Sequence, residues 1–106
     1  MAMTIDNRFS ETEGIWKVKL RGEVDIYTSN EFKEALQKIS SGEKLYDIHM
    51  DFSDLDYIDS TGLGILIGIL KRVKQQEKEI HIRSPKQNVK KIFVITGLDK
   101  IFKMEE

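Results

Sequence analysis

The segments of this chain richest in strand-forming residues are not continuous apolar runs; they alternate apolar with charged. In Ile15–Arg21, Trp16, Val18 and Leu20 fall on one face and Ile15, Lys17, Lys19 and Arg21 on the other, because successive strand side chains point to opposite sides. In Tyr46–Phe52, Ile48, Met50 and Phe52 alternate with Asp47, His49 and Asp51, and in Ile80–Arg83 two isoleucines alternate with His81 and Arg83. Helical periods separate these strands, which points to parallel βαβ units. Parallel strands covered on both faces would be apolar throughout. This sheet must therefore have one dry face and one wet face, with the helices on the dry one. Right-handed crossovers on a single face advance the sheet in one direction, so the expected strand order is sequential.

The other elements fill in around that sheet. Thr4–Ser10 alternates loosely, and the turn Glu11–Gly14 joins it to Ile15–Arg21 as an antiparallel hairpin. Gly22–Asp25 ends the second strand. Thr28 opens a helix, and Glu31 completes a capping-box pattern with it. Phe32, Ala35, Leu36 and Ile39 give that helix an apolar face, and Ser40-Ser41-Gly42 stops it. Ser53–Ile58 reads as a loop carrying Asp54 and Asp56. Leu63–Glu77 has helical period, with Leu63, Leu66, Ile67, Leu70 and Val73 inward and Gly64, Gly68, Lys71, Arg72 and Gln75 opposite. Ser84-Pro85 reads as the start of a third helix with Val89, Ile92, Phe93 and Thr96 as its inner stripe and Gly97 as its C-terminal cap. Leu98–Met104 adds a short edge strand anchored by Ile101 and Phe102. The expected architecture is a single α/β domain over residues 1–106. Its sheet is mostly parallel, with an antiparallel N-terminal strand and helices on one face.

Composition narrows the function classes. A length of 106 residues with 40% hydrophobic content suits one domain with a single core. No run approaches the roughly 18 apolar residues of a spanning helix, and the start lacks a basic-then-apolar leader, so a cytoplasmic protein without a membrane partner is expected. There is no cysteine for disulfide or thiolate chemistry. The net charge of −1 argues against direct nucleic-acid binding. The stripe Lys17, Lys19 and Arg21 is better read as the cross-strand complement of Asp47, His49 and Asp51. His49 and His81 lie mid-strand on the wet face, with no ordered ligand spacing, so neither a metal site nor a cofactor is expected.

The stretch Asp59-Ser60-Thr61-Gly62-Leu63-Gly64 stands at the start of the second helix. The first N–H groups of a helix have no intrahelical acceptor, and Asp59 or Ser60 is the right type of residue to cap them. Each glycine in the first turn costs roughly 1 kcal/mol relative to alanine. Two readings follow: a capped helix with incidental glycines, or a surface kept open for phosphate chemistry or a docking partner. Enzymatic alternatives fit less well. The Walker pattern is missing. Gly62-x-Gly64-x-x-x-Gly68 resembles a dinucleotide fingerprint only loosely, since no tight strand-to-helix turn precedes it and no ribose-binding acid ends the next strand. Ser60 lacks the Gly-x-Ser-x-Gly elbow of a serine hydrolase, and neither histidine lies at a strand end.

Asp59-Ser60-Thr61-Gly62-Leu63-Gly64 resembles the signature of the anti-sigma factor antagonists, the bacterial STAS-domain family. Leu20-Arg21-Gly22-Glu23-Val24-Asp25 and Ile92-Phe93-Val94-Ile95-Thr96-Gly97-Leu98 are similar to two further family segments, and the three occur in the family's order. Many relatives continue into another C-terminal helix; a short strand or frayed end is expected in its place here. The resemblance implies a sheet with helices wound to one side, in agreement with the alternation. It implies a binding module rather than an enzyme. In this family the serine after the aspartate, here Ser60, is phosphorylated by a cognate anti-sigma factor that is a serine kinase. The unphosphorylated antagonist binds that kinase and frees the sigma factor, and a PP2C-type phosphatase restores it. Asp25, Asp59, Thr61, Gly62, Gly64 and Gly68 are the implied partner-contact residues, with Asp25 equally suited to capping its own turn. The alternative is a STAS scaffold or regulatory subunit of a larger signalling or transport assembly, without phospho-switching.

Overall fold

A computed structural model describes residues 2–106. Its five strands are β1 (Met3–Ser10), β2 (Ile15–Val24), β3 (Asp47–Ile58), β4 (Ile80–Arg83) and β5 (Lys103–Glu105), and its helices are α1 (Ser29–Ser40), α2 (Ser60–Lys74) and α3 (Gln87–Ile95). The sheet order is β1-β2-β3-β4-β5. β1 runs antiparallel to β2, and every other neighbouring pair is parallel. The sequential order and the antiparallel first strand agree with the sequence-based expectation. The dry face carries Val18, Leu20, Ile48, Met50, Phe52, Ile80 and Ile82, packed with Phe32 and Leu36 of α1, Leu66 and Leu70 of α2, and Val89 and Phe93 of α3. On the wet face Lys19 Nζ lies 3.0 Å from Asp51 Oδ2 and 3.3 Å from Asp54 Oδ2, and Arg21 Nη1 lies 3.1 Å from Asp54 Oδ2. Lys19 and Arg21 thus complement β3 across the strands through Asp51 and Asp54, while Lys17 pairs instead with Glu13 of the β1–β2 turn at 2.7 Å. Ile15, assigned to the wet face by alternation, is buried.

Several boundaries differ from the sequence reading, each for a local reason. Ser53–Ile58 is the second half of β3, not a loop. The β2–β3 register slips between Lys19 and Arg21 and again between Gly22 and Glu23, so buried positions shift from Ile48, Met50 and Phe52 to Leu55 and Ile58. A bulge adds a residue to one strand and reverses its facing, which erases simple alternation. β2 likewise runs on to Val24 rather than ending at Gly22. Gly22 has φ +92°, and a Cβ there would fall 2.1 Å from the Ala2 carbonyl oxygen, so only glycine fits. The capping box is not formed. The Thr28 hydroxyl turns back to donate to the Glu23 carbonyl at 2.9 Å and to accept from the Asp25 N–H at 3.0 Å. The third helix starts at Gln87, not at Ser84-Pro85, because Ser84 adopts φ +54° and its N–H donates to the Glu105 carbonyl at 2.7 Å. Gly97 does take the left-handed conformation after α3, with φ 77°. The expected strand over Leu98–Met104 is instead a 3-10 turn at Leu98–Lys100 followed by β5; just before β5 Phe102 is the buried anchor, whereas Ile101 is exposed.

Candidate functional site

Parallel strands that end together bring their following loops together. β2 and β3 end at Val24 and Ile58, paired in register, so the β2–α1 loop and the start of α2 are neighbours. The Asp59 N–H donates to the Val24 carbonyl at 3.1 Å and ties the two together. Asp59 is the N-cap of α2: its Oδ1 accepts from the Gly62 N–H at 3.1 Å, and its carbonyl accepts from the Leu63 N–H at 3.0 Å. Asp59, rather than Ser60, is therefore the cap. Ser60 is the first helical residue, exposed, and followed by exposed Thr61. The N–H groups of both have no intrahelical acceptor and lie at the positive end of the helix dipole.

Asp25 stands one residue beyond Val24 and is engaged locally. Its Oδ1 accepts from the Tyr27 N–H at 2.9 Å and the Thr28 N–H at 3.1 Å. That carboxylate folds the loop so that Ile26 and Tyr27 project outward, with exposures of 65% and 82%. Tyr57, near the end of β3, is also exposed. All three lie near the ends of β2 and β3, beside the start of α2 that carries Ser60. Sequence reasoning did not single them out. Their signal was two large apolar residues between a strand end and a helix start, where no core position exists.

The three helix glycines separate into two kinds. Gly62 is buried, and a Cβ there would fall 2.7 Å from both Ile58 Cγ1 and Val24 Cγ1. Its bare backbone lets α2 pack directly on the strand ends, so its assignment as a partner contact is corrected to an internal packing role. Gly64 and Gly68 are exposed, with nothing within 4 Å of the Cβ each would carry. With Thr61 and Ile65 they line one wall of a groove of about 730 Å³ between α1 and α2, opposite Lys33 and Gln37. Among the positions expected at the site, Asp25, Asp59, Ser60, Thr61 and Gly64 gather at or near the start of α2, while Gly68 extends the same surface along the groove.

Asp56, four residues before Ser60, is not a free acid: the Lys86 ammonium binds it, and the Asn88 side-chain N–H donates to its carbonyl at 2.7 Å. The acids left beside Ser60 are Asp25 and Asp59. No imidazole can act on Ser60. His49 is near the start of β3 and Ser60 lies beyond its end, roughly 30 Å away at the rise of an extended strand. A Ser-His-Asp triad at Ser60 is excluded by that distance.

On the wet face a second group of side chains comes together. The imidazoles of His49 and His81 stack with centroids 4.1 Å apart, and the His81 Nδ1–H donates to Glu105 Oε2 at 2.9 Å. Burial, and then the neighbouring His81, hold the His49 pKa below its ordinary value. The His81 hydrogen bond holds the Glu105 carboxyl below its own, against partial desolvation.

The STAS domain family model matches residues 8–106. An anti-sigma-B factor antagonist of Staphylococcus epidermidis is 34% identical over 94 residues, which is 89% of this chain and 86% of the relative. Two solved forms of SpoIIAA, a Bacillus cell fate determinant and anti-sigma factor antagonist, share the fold. The unphosphorylated form has a TM-score of 0.72 at 17% identity, covering 87% of this chain and 83% of that one. The phosphorylated form has a TM-score of 0.71 at 18% identity, covering 97% and 90%. With the sequential one-sided sheet, the capped Asp59-Ser60 helix start and these matches in agreement, the chain belongs to the STAS domain family.

Proposed function

We propose that this protein is an anti-sigma factor antagonist switched by phosphorylation of Ser60. Its unphosphorylated form binds an anti-sigma factor that is also a serine kinase and so releases the sigma factor; a PP2C-type phosphatase reverses the modification. The observation that carries this reading is the exposed Ser60 hydroxyl at a capped helix start, flanked by an exposed apolar loop and by a helix face bare of side chains. That arrangement offers a hydroxyl to another protein's active site and exposed apolar side chains for it to dock on. The relative named an anti-sigma-B factor antagonist supports the same reading.

The physical basis of the switch is charge. A phosphoserine brings about −1.5 to −2 charges at neutral pH. At Ser60 it would face free N–H groups and the helix dipole, worth roughly 0.3–1 kcal/mol in its favour at an exposed site, so the fold tolerates it. Against a docked partner the same charge adds to Asp25 and Asp59 in a desolvated interface and opposes binding. Intact mass after incubation with candidate anti-sigma kinases and ATP tests this. One phosphate is expected on the native chain and none on Ser60→Ala, which retains binding; Ser60→Asp folds and binds poorly. Stoichiometric labelling of Ser60→Ala would move the site to Thr61, and no labelling by any kinase would favour the scaffold reading.

A further inference from the structure

We propose that His49, His81 and Glu105 form a binding site for a divalent transition-metal ion on the open face of the sheet, remote from Ser60. Their ligating atoms all lie within 4.8 Å of one another. The three residues come from three successive strands, and strand pairing sets their positions. His49 is in register with His81, and Glu105 is two residues beyond Lys103, the register partner of His81. In a parallel pair, register partners share a face, and so do positions two apart on a strand. Two imidazoles and a carboxylate are therefore held side by side by the backbone, not by chance rotamers.

The donor set fits the chemistry. Imidazole nitrogen with one carboxylate oxygen suits Zn²⁺, Co²⁺, Ni²⁺ or Cu²⁺ rather than Mg²⁺ or Ca²⁺, which take oxygen ligands. Two donors on a tetrahedral Zn²⁺ at about 2.0–2.1 Å sit roughly 3.3 Å apart. Closing from the present spacing needs side-chain movement of about an ångström, open to residues on a solvent-facing sheet. Water would fill the remaining positions. Burial, and then the neighbouring His81, hold the His49 pKa below its ordinary value, so this ring is neutral and free to ligate at pH 7. The surrounding charges are mixed. Lys17 and Lys103 flank the histidine pair in register and Arg83 stands 3.7 Å from Glu105, while Glu13, Asp47 and Asp51 supply negative charge nearby. Lys17 is already paired with Glu13 at 2.7 Å. An ion here would also fasten β5, a strand of three residues, to β4 and β3.

The chain has two histidines and no cysteine, so imidazole ligation can be assigned without ambiguity in protein lacking an affinity tag. Zn²⁺ titrated into the full chain at pH 7.5 by calorimetry should bind with one saturable equivalent. His81→Gln and His49→Gln should each weaken it at least about tenfold, as Glu105→Gln should to a lesser degree. Zn²⁺ should raise the melting temperature of the native chain and leave that of the double histidine variant unchanged. Melting in the absence of metal reports whether each variant is folded. Co²⁺ should give visible absorption with the native chain and lose it below the imidazole pKa range, where protons compete for the ligands. No saturable equivalent up to millimolar Zn²⁺, or equal binding by the double variant, would overturn the site.

Discussion

Gly62 and the pair Gly64 and Gly68 lie within two turns of one helix, yet glycine is there for opposite reasons. Gly62 faces inward, where Val24 and Ile58 leave no room for a Cβ; the other two face outward over a groove with nothing near them. The first lack of a side chain serves the fold. The second serves nothing inside the molecule and costs helix stability, so its use has to be sought outside, in a partner that approaches the backbone. α2 thus has a side that holds the protein together and a side left bare for recognition, with Ser60 at the end where the two meet.

The contrast is easiest to break at Gly62. Gly62→Val places three carbons against Val24 and Ile58, an overpacking that costs about 1–3 kcal/mol or more. Each kcal/mol lowers the melting temperature by roughly 4–8 °C in a domain of this size. A thermal melt of Gly62→Val close to that of the native chain would show that α2 can lift from the sheet and that the inward role is wrong. The outward glycines should respond with the opposite sign. Gly64→Ala or Gly68→Gln should stabilise the free protein by roughly 0.5–1 kcal/mol each, the difference in helix propensity. Gly68→Gln should at the same time weaken binding to the cognate anti-sigma kinase. Unchanged affinity for that variant would leave the open face without a function, and unfolding would show that it packs internally after all.

A smaller effect separates the wet face from both. The folded-state pKa of His49 is depressed by burial and by His81 from its ordinary value of 6.5. As pH falls below that value the unfolded chain takes up the proton first, so this contribution is intact above about 6.5 and is lost as pH drops through the folded pKa. His49→Gln should flatten the decline in stability just below pH 6.5, measured by urea midpoints in a chelator. The native slope persisting in that variant would assign the effect to other groups. Lys17, Glu13, Asp47, His81, Arg83 and Glu105 are the charged neighbours that would then have to account for it.

The legible parts of this molecule were those set by period. Alternation in β2, β3 and β4 implied a one-sided sheet, and one-sidedness implied the sequential order. What stayed hidden were features set by the relation between distant segments. The two slips each put an extra residue into β3 while β2 beside it runs on without one, and a strand read alone shows only a lapse in alternation. Thr28 looked like a cap because its type and spacing were right; its hydroxyl instead serves the loop that Asp25 folds. Gly62 could not be told from Gly64 by sequence, since the difference is whether Val24 and Ile58 stand beneath. The His49, His81 and Glu105 cluster had no ligand spacing to detect, because register across three strands, not separation along the chain, brings it together.

The central claim is that Ser60 modification changes the surface on the open side of α2 and leaves the packed side as it is. Backbone amide shifts compared before and after phosphorylation test it most directly. Changes are expected at Asp25–Thr28, at Tyr57–Gly64 and at their immediate neighbours, with the rest of the spectrum superimposable. Shifts spreading through β4 at Ile80–Arg83 or through α3 at Gln87–Ile95 would mean that the phosphate acts by rearranging the fold, and would contradict the claim.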